Sequence, residues 1–318
     1  FIKKKYMGML QIQLSYRLLI VTLFFFSTNF CLANSFNISE VEENIFLHYG
    51  VHEDSSIKNQ GDIANIGFIV GKKSVLIIDT GGTLEIAKNL LETVKNKTPL
   101  PISHVVITHG HPDHYLGSEI FKISNIQFIG HENLKRSINM NFNFYKTLQA
   151  SSIEDQSILE IKPVFPDLEI KKNQTFTLDL GDREVKIRAW ESGHTDSDLS
   201  VYDVNSKILW TENIFVNRIP SVRASILGWK KNLEITSKMD INRIIPGHGK
   251  ITTKDEALLP MLSYFRRMIK EIRTLHDKGI NIETAQKEVA KDNKENWLLF
   301  NDYHISNVTK AYSELEWE

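Results

Sequence analysis

The spacing of apolar residues predicts an alternation of short strands and amphipathic helices in the first half of the chain. Residues 65–70 and 75–81 are apolar runs bounded by turn residues, as expected of an opening pair of strands. In residues 84–94 the apolar positions recur at helical spacing. The same alternation continues with strands at residues 104–108 and 126–129 and helices at residues 113–121 and 132–140. This order is typical of one half of a layered α/β domain.

The second half of the chain has the pattern of β-hairpins followed by helices. The turn dipeptides Gly181-Asp182 and Asn205-Ser206 each join two segments of alternating apolar and polar residues. Helical spacing then returns at residues 257–275, 282–290 and 306–315. The elements together predict a fold of the α/β (α+β) class, in which two β-sheets lie face to face with helices outside, an αββα four-layer sandwich.

Composition limits the class of protein. The chain has 318 residues, of which 42% are hydrophobic, and this is enough for a large buried core. The formal net charge is −1, and no basic run lies outside the N-terminal segment. A nucleic-acid partner is therefore not expected.

The candidate chemistry is concentrated in the run HGHPDH at residues 109–114, directly after a predicted strand. His109 and His111 are two residues apart and can converge on one ion, while Asp113 and His114 can face a second ion. Imidazole and carboxylate ligands together suit Zn²⁺. Paired metal ions can bind a substrate oxygen and supply hydroxide near neutral pH. The spacing therefore predicts a metal site on a loop at a strand end.

Two later turns also present a histidine beside glycine at the end of an apolar segment. They contain His194, in Gly193-His194-Thr195, and His248, in Pro246-Gly247-His248-Gly249. Glycine lets the backbone turn sharply there. Because these histidines and the run at residues 109–114 must meet in one site, we expect one domain rather than two. The other histidines lack a partner at ligand spacing and are expected at the surface or in the core: His48, His52, His104, His131, His276 and His304.

The HxHxDH run, the Gly-His-Thr turn and the Pro-Gly-His-Gly turn resemble the metallo-β-lactamase superfamily. The similarity covers most of the chain. The tail at residues 298–318 is similar to one subgroup, the quinoprotein relay system zinc metallohydrolases, as are residues 218–221 and 227–229. The resemblance implies a metallo-β-lactamase-like sandwich, and it places the protein beside a periplasmic quinoprotein dehydrogenase system, with a quinoprotein as partner.

The resemblance also implies the ligands of one or two Zn²⁺ ions. The first zinc would be bound by His109, His111 and His194, and the second by Asp113, His114 and His248. Most members of the family add a bridging Asp after a strand. Here the strand at residues 208–211 is followed by Glu212 and Asn213, so Asn213, or Glu212 with a local shift, occupies the bridging position. Asparagine is neutral and a poor bridge, whereas glutamate is anionic but one methylene longer, so this departure leaves the second metal open.

The N-terminal segment has the features of a cleavable export signal. An apolar run at residues 18–26 is too short to span a bilayer, and basic residues precede it. Cys31-Leu32-Ala33 places small residues before a cut ahead of Asn34. We therefore expect a signal peptide at residues 1–33 and a periplasmic hydrolase domain at residues 34–318, with a membrane-anchored protein as the alternative.

Together these observations predict an exported zinc-dependent metallo-hydrolase in which metal-bound hydroxide attacks a small-molecule ester, thioester, lactone or amide. Asp113 would orient the nucleophile, or take its proton if the second metal is absent. The alternatives are a true metallo-β-lactamase and a non-hydrolytic metal-binding accessory protein. Residues 141–170 suit either a helical insertion that sets substrate selectivity or ordinary packing.

Overall fold

The computed structural model describes residues 36–123, 125–292 and 294–318, so the predicted signal peptide lies outside the described residues. The first of its two sheets has seven strands in sequence order. They are β1 (Ile38–Glu42), β2 (Ile45–His48), β3 (Ile66–Val70), β4 (Val75–Ile78), β5 (Ile102–Val106), β6 (Gln127–His131) and β7 (Leu168–Ile170). Pairing is antiparallel from β1 to β4 and parallel from β4 to β7.

The second sheet has six strands in the order β13-β12-β11-β10-β9-β8. They are β8 (Thr175–Asp179), β9 (Glu184–Ala189), β10 (Leu199–Asp203), β11 (Ile208–Phe215), β12 (Arg243–His248) and β13 (Thr252–Thr253). All pairs are antiparallel except β11 with β12, which run parallel. The parallel pair brings the ends of β11 and β12 together at one edge of the sandwich.

Seven α-helices flank the sheets in the described part of the chain. They are α1 (Leu84–Lys97), α2 (Pro112–Tyr115), α3 (Leu134–Ile153), α4 (Ile226–Ser237), α5 (Lys254–Asp277), α6 (Ile282–Glu288) and α7 (Phe300–Leu315). The longest, α5, begins with a capping box in which Thr253 and Glu256 satisfy each other's backbone N–H groups. No helix within the described ranges combines the length and apolar character needed to cross a membrane.

Strand β4 shows how the layers form. Its four residues are all buried, and because side chains alternate between the faces of a strand, they enter two different cores. Val75 and Ile77 pack with α1 and α3 on the outer face, whereas Leu76 and Ile78 pack against the second sheet. A third core joins the second sheet to α4, α5 and α7. The predicted αββα sandwich is therefore confirmed.

Helix α3 is longer than its pattern predicts, since it continues to Ile153 instead of ending at residue 140. The polar residues Asn139 and Asn143 interrupt the apolar pattern, but both are exposed while Phe142 and Ile153 are buried. Residues 141–153 are thus the second half of a helix that packs on the first sheet, and they are followed by a 3-10 helix, Gln156–Glu160, and by β7. The predicted helix at residues 113–121 is instead α2 followed by a 3-10 helix, Leu116–Phe121.

Candidate metal centre

Three strand ends carry the predicted ligands to the same edge of the sandwich. The HGHPDH run follows β5, and Pro112 at the first position of α2 starts a short helix that contains Asp113 and His114. His194 lies in the loop between β9 and β10, and His248 is the last residue of β12. The fold therefore brings His194 and His248, which are distant in sequence, next to the four predicted ligands of the HGHPDH run.

The first predicted triad is compact in the structure. One nitrogen from each of His109, His111 and His194 lies within 4.8 Å of the other two. The Nε2 atom of His194 is 3.0 Å from Nδ1 of His111. His194 is oriented by its other nitrogen, Nδ1, which donates to the backbone oxygen of Ser221 at 2.8 Å. A hydrogen bond of this kind leaves the Nε2 lone pair free to bind a metal.

The second triad has the same construction. Ligand atoms of Asp113, His114 and His248 lie within 4.8 Å of one another. The Oδ2 atom of Asp113 is 3.3 Å from Nε2 of His114 and 3.6 Å from Nε2 of His248. Nδ1 of His248 donates to the backbone oxygen of Ile63 at 2.8 Å, so Nε2 faces the carboxylate. All six predicted ligands are thus adjacent, in the two groups expected.

Asp79 forms hydrogen bonds to Thr108, the residue before His109, and to the predicted ligand His114. It is fully buried and has a left-handed backbone with φ 56°. Its Oδ1 atom accepts from the backbone N–H of Thr108 at 2.8 Å, and Oδ2 accepts from the Thr108 hydroxyl at 2.6 Å and from Nδ1 of His114 at 2.9 Å. A carboxylate that holds a ligand imidazole in this way fixes the ring and its tautomer.

The structure places the side chains of the two candidates for the bridging position in different surroundings. Glu212 is fully buried, and its carboxylate lies with His109 and His114 in a third group whose ligand atoms are within 4.8 Å. The side chain of Asn213 instead accepts a hydrogen bond from the Thr211 hydroxyl at 2.6 Å. In the structure, therefore, the side chain of Glu212 faces the predicted ligands and that of Asn213 faces Thr211.

The side chain of Glu212 fits in this position because Gly247 has no side chain. A Cβ atom on Gly247 would lie 2.1 Å from Oε2 of Glu212, which is closer than any non-bonded contact allows. Although Oε2 is 3.2 Å from Nδ1 of His114, neither oxygen of Glu212 makes a hydrogen bond within the described part of the chain. Because a buried carboxylate without hydrogen bonds is costly, its position is explained if it faces a cation.

Four of the five imidazoles of the cluster are held in the neutral form that binds metals. Burial lowers the pKa of His109, His194 and His248 well below 6.5. Burial also lowers the pKa of His111 to about 4, and the charge of Arg223 acts in the same direction. A neutral imidazole keeps a lone pair for coordination near neutral pH.

The nearby carboxylates shift the pKa of His114 in the opposite direction to that of the other four imidazoles. Burial by itself would lower the pKa of His114, but the charges of Glu212, Asp113 and Asp79 raise it well above 6.5. Burial raises the pKa of Glu212, whereas His114 and His248 outweigh burial and lower the pKa of Asp113 below its usual range. This excess of buried carboxylate, together with four neutral imidazoles, fits one or two divalent cations.

Two arginines near the ligands were not predicted as site residues. Arg218 is buried, and its Nη1 atom lies 3.2 Å from Nδ1 of His248. Its Nη2 atom donates to Asp54 at 3.2 Å, and Asp54 also accepts from the hydroxyl of Tyr303. Arg223 is exposed, and its charge lowers the pKa of His194. The sequence carried a signal for Arg218 alone, in the string at residues 218–221.

The C-terminal helix holds the loop that carries both arginines. Asn307 in α7 donates to the backbone oxygen of Pro220 at 2.6 Å and accepts from the N–H of Val222 at 2.8 Å. Glu314 accepts from the Ser225 hydroxyl at 2.6 Å and the Ile226 N–H at 2.7 Å. The tail that resembles the quinoprotein relay subgroup thus has a structural role beside the site.

A cavity of about 350 Å³ opens next to the first triad. Its lining includes His111 and Thr195, Met140 and Tyr145 from α3, and Arg223. The ring of Tyr145 stands edge-on to that of His111, with centroids 5.7 Å apart. A small molecule in this cavity would therefore touch a metal ligand directly.

The chain is similar to known metallo-β-lactamases and to an alkylsulfatase. A metallo-β-lactamase type 2 from Bacillus sp. (strain 170) is 23% identical over 231 residues, which cover 69% of this chain and 78% of that enzyme. The structure of a metallo-β-lactamase from Pontibacter korlensis has 18% identity and a TM-score of 0.57, over 72% of this chain and 98% of that one. The stereoselective inverting sec-alkylsulfatase Pisa1 from Pseudomonas sp. has 17% identity and a TM-score of 0.68, over 87% of this chain and 50% of that chain.

At these identities the structural likenesses show the fold alone. The sequence profile of the metallo-beta-lactamase superfamily matches residues 59–248, a segment that contains all six predicted ligands and Glu212. Members of this superfamily are hydrolases that use metal ions, typically zinc. Because the profile covers more than half of the chain, this protein belongs to the metallo-β-lactamase superfamily.

Proposed function

We propose that the protein is a zinc-dependent hydrolase of small molecules that contain an ester, thioester, lactone or amide bond. The observation that carries the proposal is the buried cluster of four neutral imidazoles around Asp113 and Glu212, which opens into a cavity beside His111. Residues of this kind bind zinc, and the cavity gives a substrate access to them.

The ligands would divide between two ions as the resemblance implies, with Glu212 close to both groups. Bound zinc would supply a Lewis acid and an activated water. The chain itself orients the reaction, because Asp113 stays ionised between His114 and His248 and can position a nucleophile, or take its proton if the second metal is absent. Arg223, at the cavity wall, can neutralise negative charge on a bound substrate.

The role of Glu212 is tested by comparing Glu212→Gln with Asn213→Asp. We expect Glu212→Gln to weaken binding of at least one zinc by about 10–100-fold, as for other groups that support metal ligands. Asn213→Asp should leave zinc content unchanged, because the side chain of Asn213 faces Thr211. Zinc titration of both folded variants, followed by elemental analysis, measures this. Higher zinc occupancy in Asn213→Asp, with Glu212→Gln like wild type, would restore Asn213 as the bridging residue.

The reaction class is tested by a screen of chromogenic esters, thioesters and lactones with the zinc-loaded protein. The first alternative, a true β-lactamase, predicts turnover of a chromogenic cephalosporin in preference to all of these. The second alternative, a metal-binding accessory protein, predicts no turnover of any of them. A zinc-loaded and folded protein that is inactive throughout the screen would overturn the proposal.

A second candidate activity is the hydrolysis of a sulfate ester. It is favoured by the two guanidinium groups, Arg218 and Arg223, which lie beside the ligands and suit an anionic group. The likeness to an alkylsulfatase fold over 87% of this chain is compatible with it. Release of inorganic sulfate from a secondary alkyl sulfate measures this activity, and Arg223→Gln should reduce it if the guanidinium binds the sulfate.

We further propose that the protein is exported to the periplasm. The support is the apolar run at residues 18–26, followed by small residues before Asn34. We predict that the mature chain begins near Asn34. N-terminal sequencing of protein from the cell envelope measures this, and a species that retains Cys31, as a membrane-anchored protein would, contradicts it.

Association with a periplasmic quinoprotein dehydrogenase is proposed from the tail at residues 298–318 and the strings at residues 218–221 and 227–229. In the structure, Asn307 and Glu314 from this tail support the site loop, so the resemblance involves residues close to the chemistry. Direct binding of a purified periplasmic quinoprotein dehydrogenase to this protein would test the association.

A further inference from the structure

Helix α3 carries an apolar stripe that the described fold does not cover. Met140, Phe144 and Leu148 are spaced four residues apart, so they lie along one side of the helix. Their side chains are 70%, 65% and 50% exposed. Single exposed apolar residues are common on protein surfaces, but a continuous row of large ones marks a binding surface more often.

The stripe begins inside the cavity beside the metal ligands. Met140 lines that cavity together with His111 and with Tyr145 from the same helix. The rings of Phe144 and Tyr145 are in contact, with centroids 5.5 Å apart, and Tyr145 is in turn packed edge-on against His111. A single molecule whose apolar group lies on the stripe could therefore place its reacting group at the first triad.

The lining of the cavity also carries a positive charge, on Arg223. Within the residues that the structure describes, the guanidinium group of Arg223 makes no hydrogen bond or ion pair, and it lies over the ring of Tyr303 at 5.9 Å. The other arginine of the cavity, Arg136, is already paired with Asp196. Arg223 is therefore available to an anion supplied by a ligand.

We propose that the substrate is an amphiphile, with an anionic group that binds Arg223 and an apolar arm that lies along Met140, Phe144 and Leu148. The anionic group is a carboxylate or a sulfate, since both match a guanidinium. This proposal rests on the proposed function, because it assumes that the molecule in the cavity is the substrate of the zinc site. It assigns substrate selectivity to α3, in the segment whose role the sequence left open.

The apolar arm is tested by calorimetric binding of hexanoate, octanoate and decanoate, below their micelle concentrations, to the zinc-loaded protein. Each methylene that the stripe buries should increase affinity about fourfold. The double variant Met140→Ser/Phe144→Ser should make the affinity nearly independent of chain length. Leu259→Ser is the matched control, because Leu259 is 58% exposed on α5, which does not contribute to this cavity. The control should bind all three acids like wild type.

The anionic group is tested by comparing octanoate, octyl sulfate and 1-octanol. Arg223→Gln should weaken the binding of the preferred anion about tenfold and leave 1-octanol unchanged. The tighter of octanoate and octyl sulfate in wild type identifies the preferred anion. A series without chain-length dependence in wild type, or an equal loss in Leu259→Ser, would overturn the proposal. Chain-length-dependent binding without turnover of any substrate would show that the stripe binds an amphiphile as a ligand and not as a substrate, and it would overturn the proposed function, so the two failures can be told apart.

Discussion

Replacing His111 by alanine is expected to release most of the zinc from the first site and to abolish hydrolysis. His111 contributes one of the three nitrogens that lie within 4.8 Å of each other, so the variant keeps two protein ligands where three are needed. We expect zinc affinity to fall by more than about a hundredfold, since even changes in groups that only support ligands cost up to that amount. Elemental analysis after dialysis and the rate with the best screened substrate measure the two effects.

His276→Ala is the matched control for this experiment. His276 lies in the last turn of α5, packs against Tyr312 and belongs to none of the ligand groups that the structure describes. It should retain wild-type zinc and activity. Chelation of the wild-type protein should reproduce the loss of activity, and added zinc should reverse it. Equal zinc in His111→Ala and wild type would show that the ion is bound elsewhere.

Asp79→Ala is expected to cause the largest loss of stability, about 3–5 kcal/mol, which is typical when one partner of a buried ion pair is removed. The change leaves the N–H and hydroxyl of Thr108 and Nδ1 of His114 without their acceptor, in a fully buried region. It also places alanine at φ 56°, where a residue with a β-carbon and no polar group is strained. Urea unfolding of the metal-free protein measures the change.

Asp79→Asn separates the lost charge from the lost acceptor. Asparagine tolerates the left-handed region and keeps one side-chain oxygen for Thr108, so we expect a smaller loss of stability than with alanine. Its zinc affinity should still fall, because the amide cannot hold the imidazole of His114 as a carboxylate does. A free energy of unfolding for Asp79→Ala within about 1 kcal/mol of wild type would show that Asp79 is not the anchor of this region.

Much of the fold could be predicted from the sequence, because a helix or strand that packs against one or two neighbours has a clear periodic pattern of apolar residues. The helix at residues 84–94 and the hairpins after residue 174 are present in the structure, with ends that differ by a few residues. Helix α3 was predicted too short, since Asn139 and Asn143 break the pattern although they only face outward. A local pattern records polarity, but it does not record which side of a helix will be covered.

The six candidate ligands could be located for a different reason. Histidine at fixed short spacing, or between glycines at a strand end, carries its chemistry in the local sequence, and the fold then had only to bring the strand ends together. Arg223 had no such signal, because an exposed arginine next to a site has the same local sequence context as any other surface arginine. Its proximity to His111 and His194 follows from how α7 holds the loop.

By itself, the sequence determined the fold class, the superfamily-like motif and the two ligand groups, whereas only the tertiary structure placed the side chain of Glu212, and not that of Asn213, beside the predicted ligands. Neighbouring residues on a strand point to opposite faces, so the side chains of two consecutive residues enter different layers of the sandwich. In β11 all eight residues are buried, so no alternation of polarity marks the face that meets the metal ligands. The register of β11 with β12 shifts between Thr211 and Phe215, and the gap left by Gly247 admits the longer carboxylate. Both features arise from contacts between distant segments, and no local pattern encodes them.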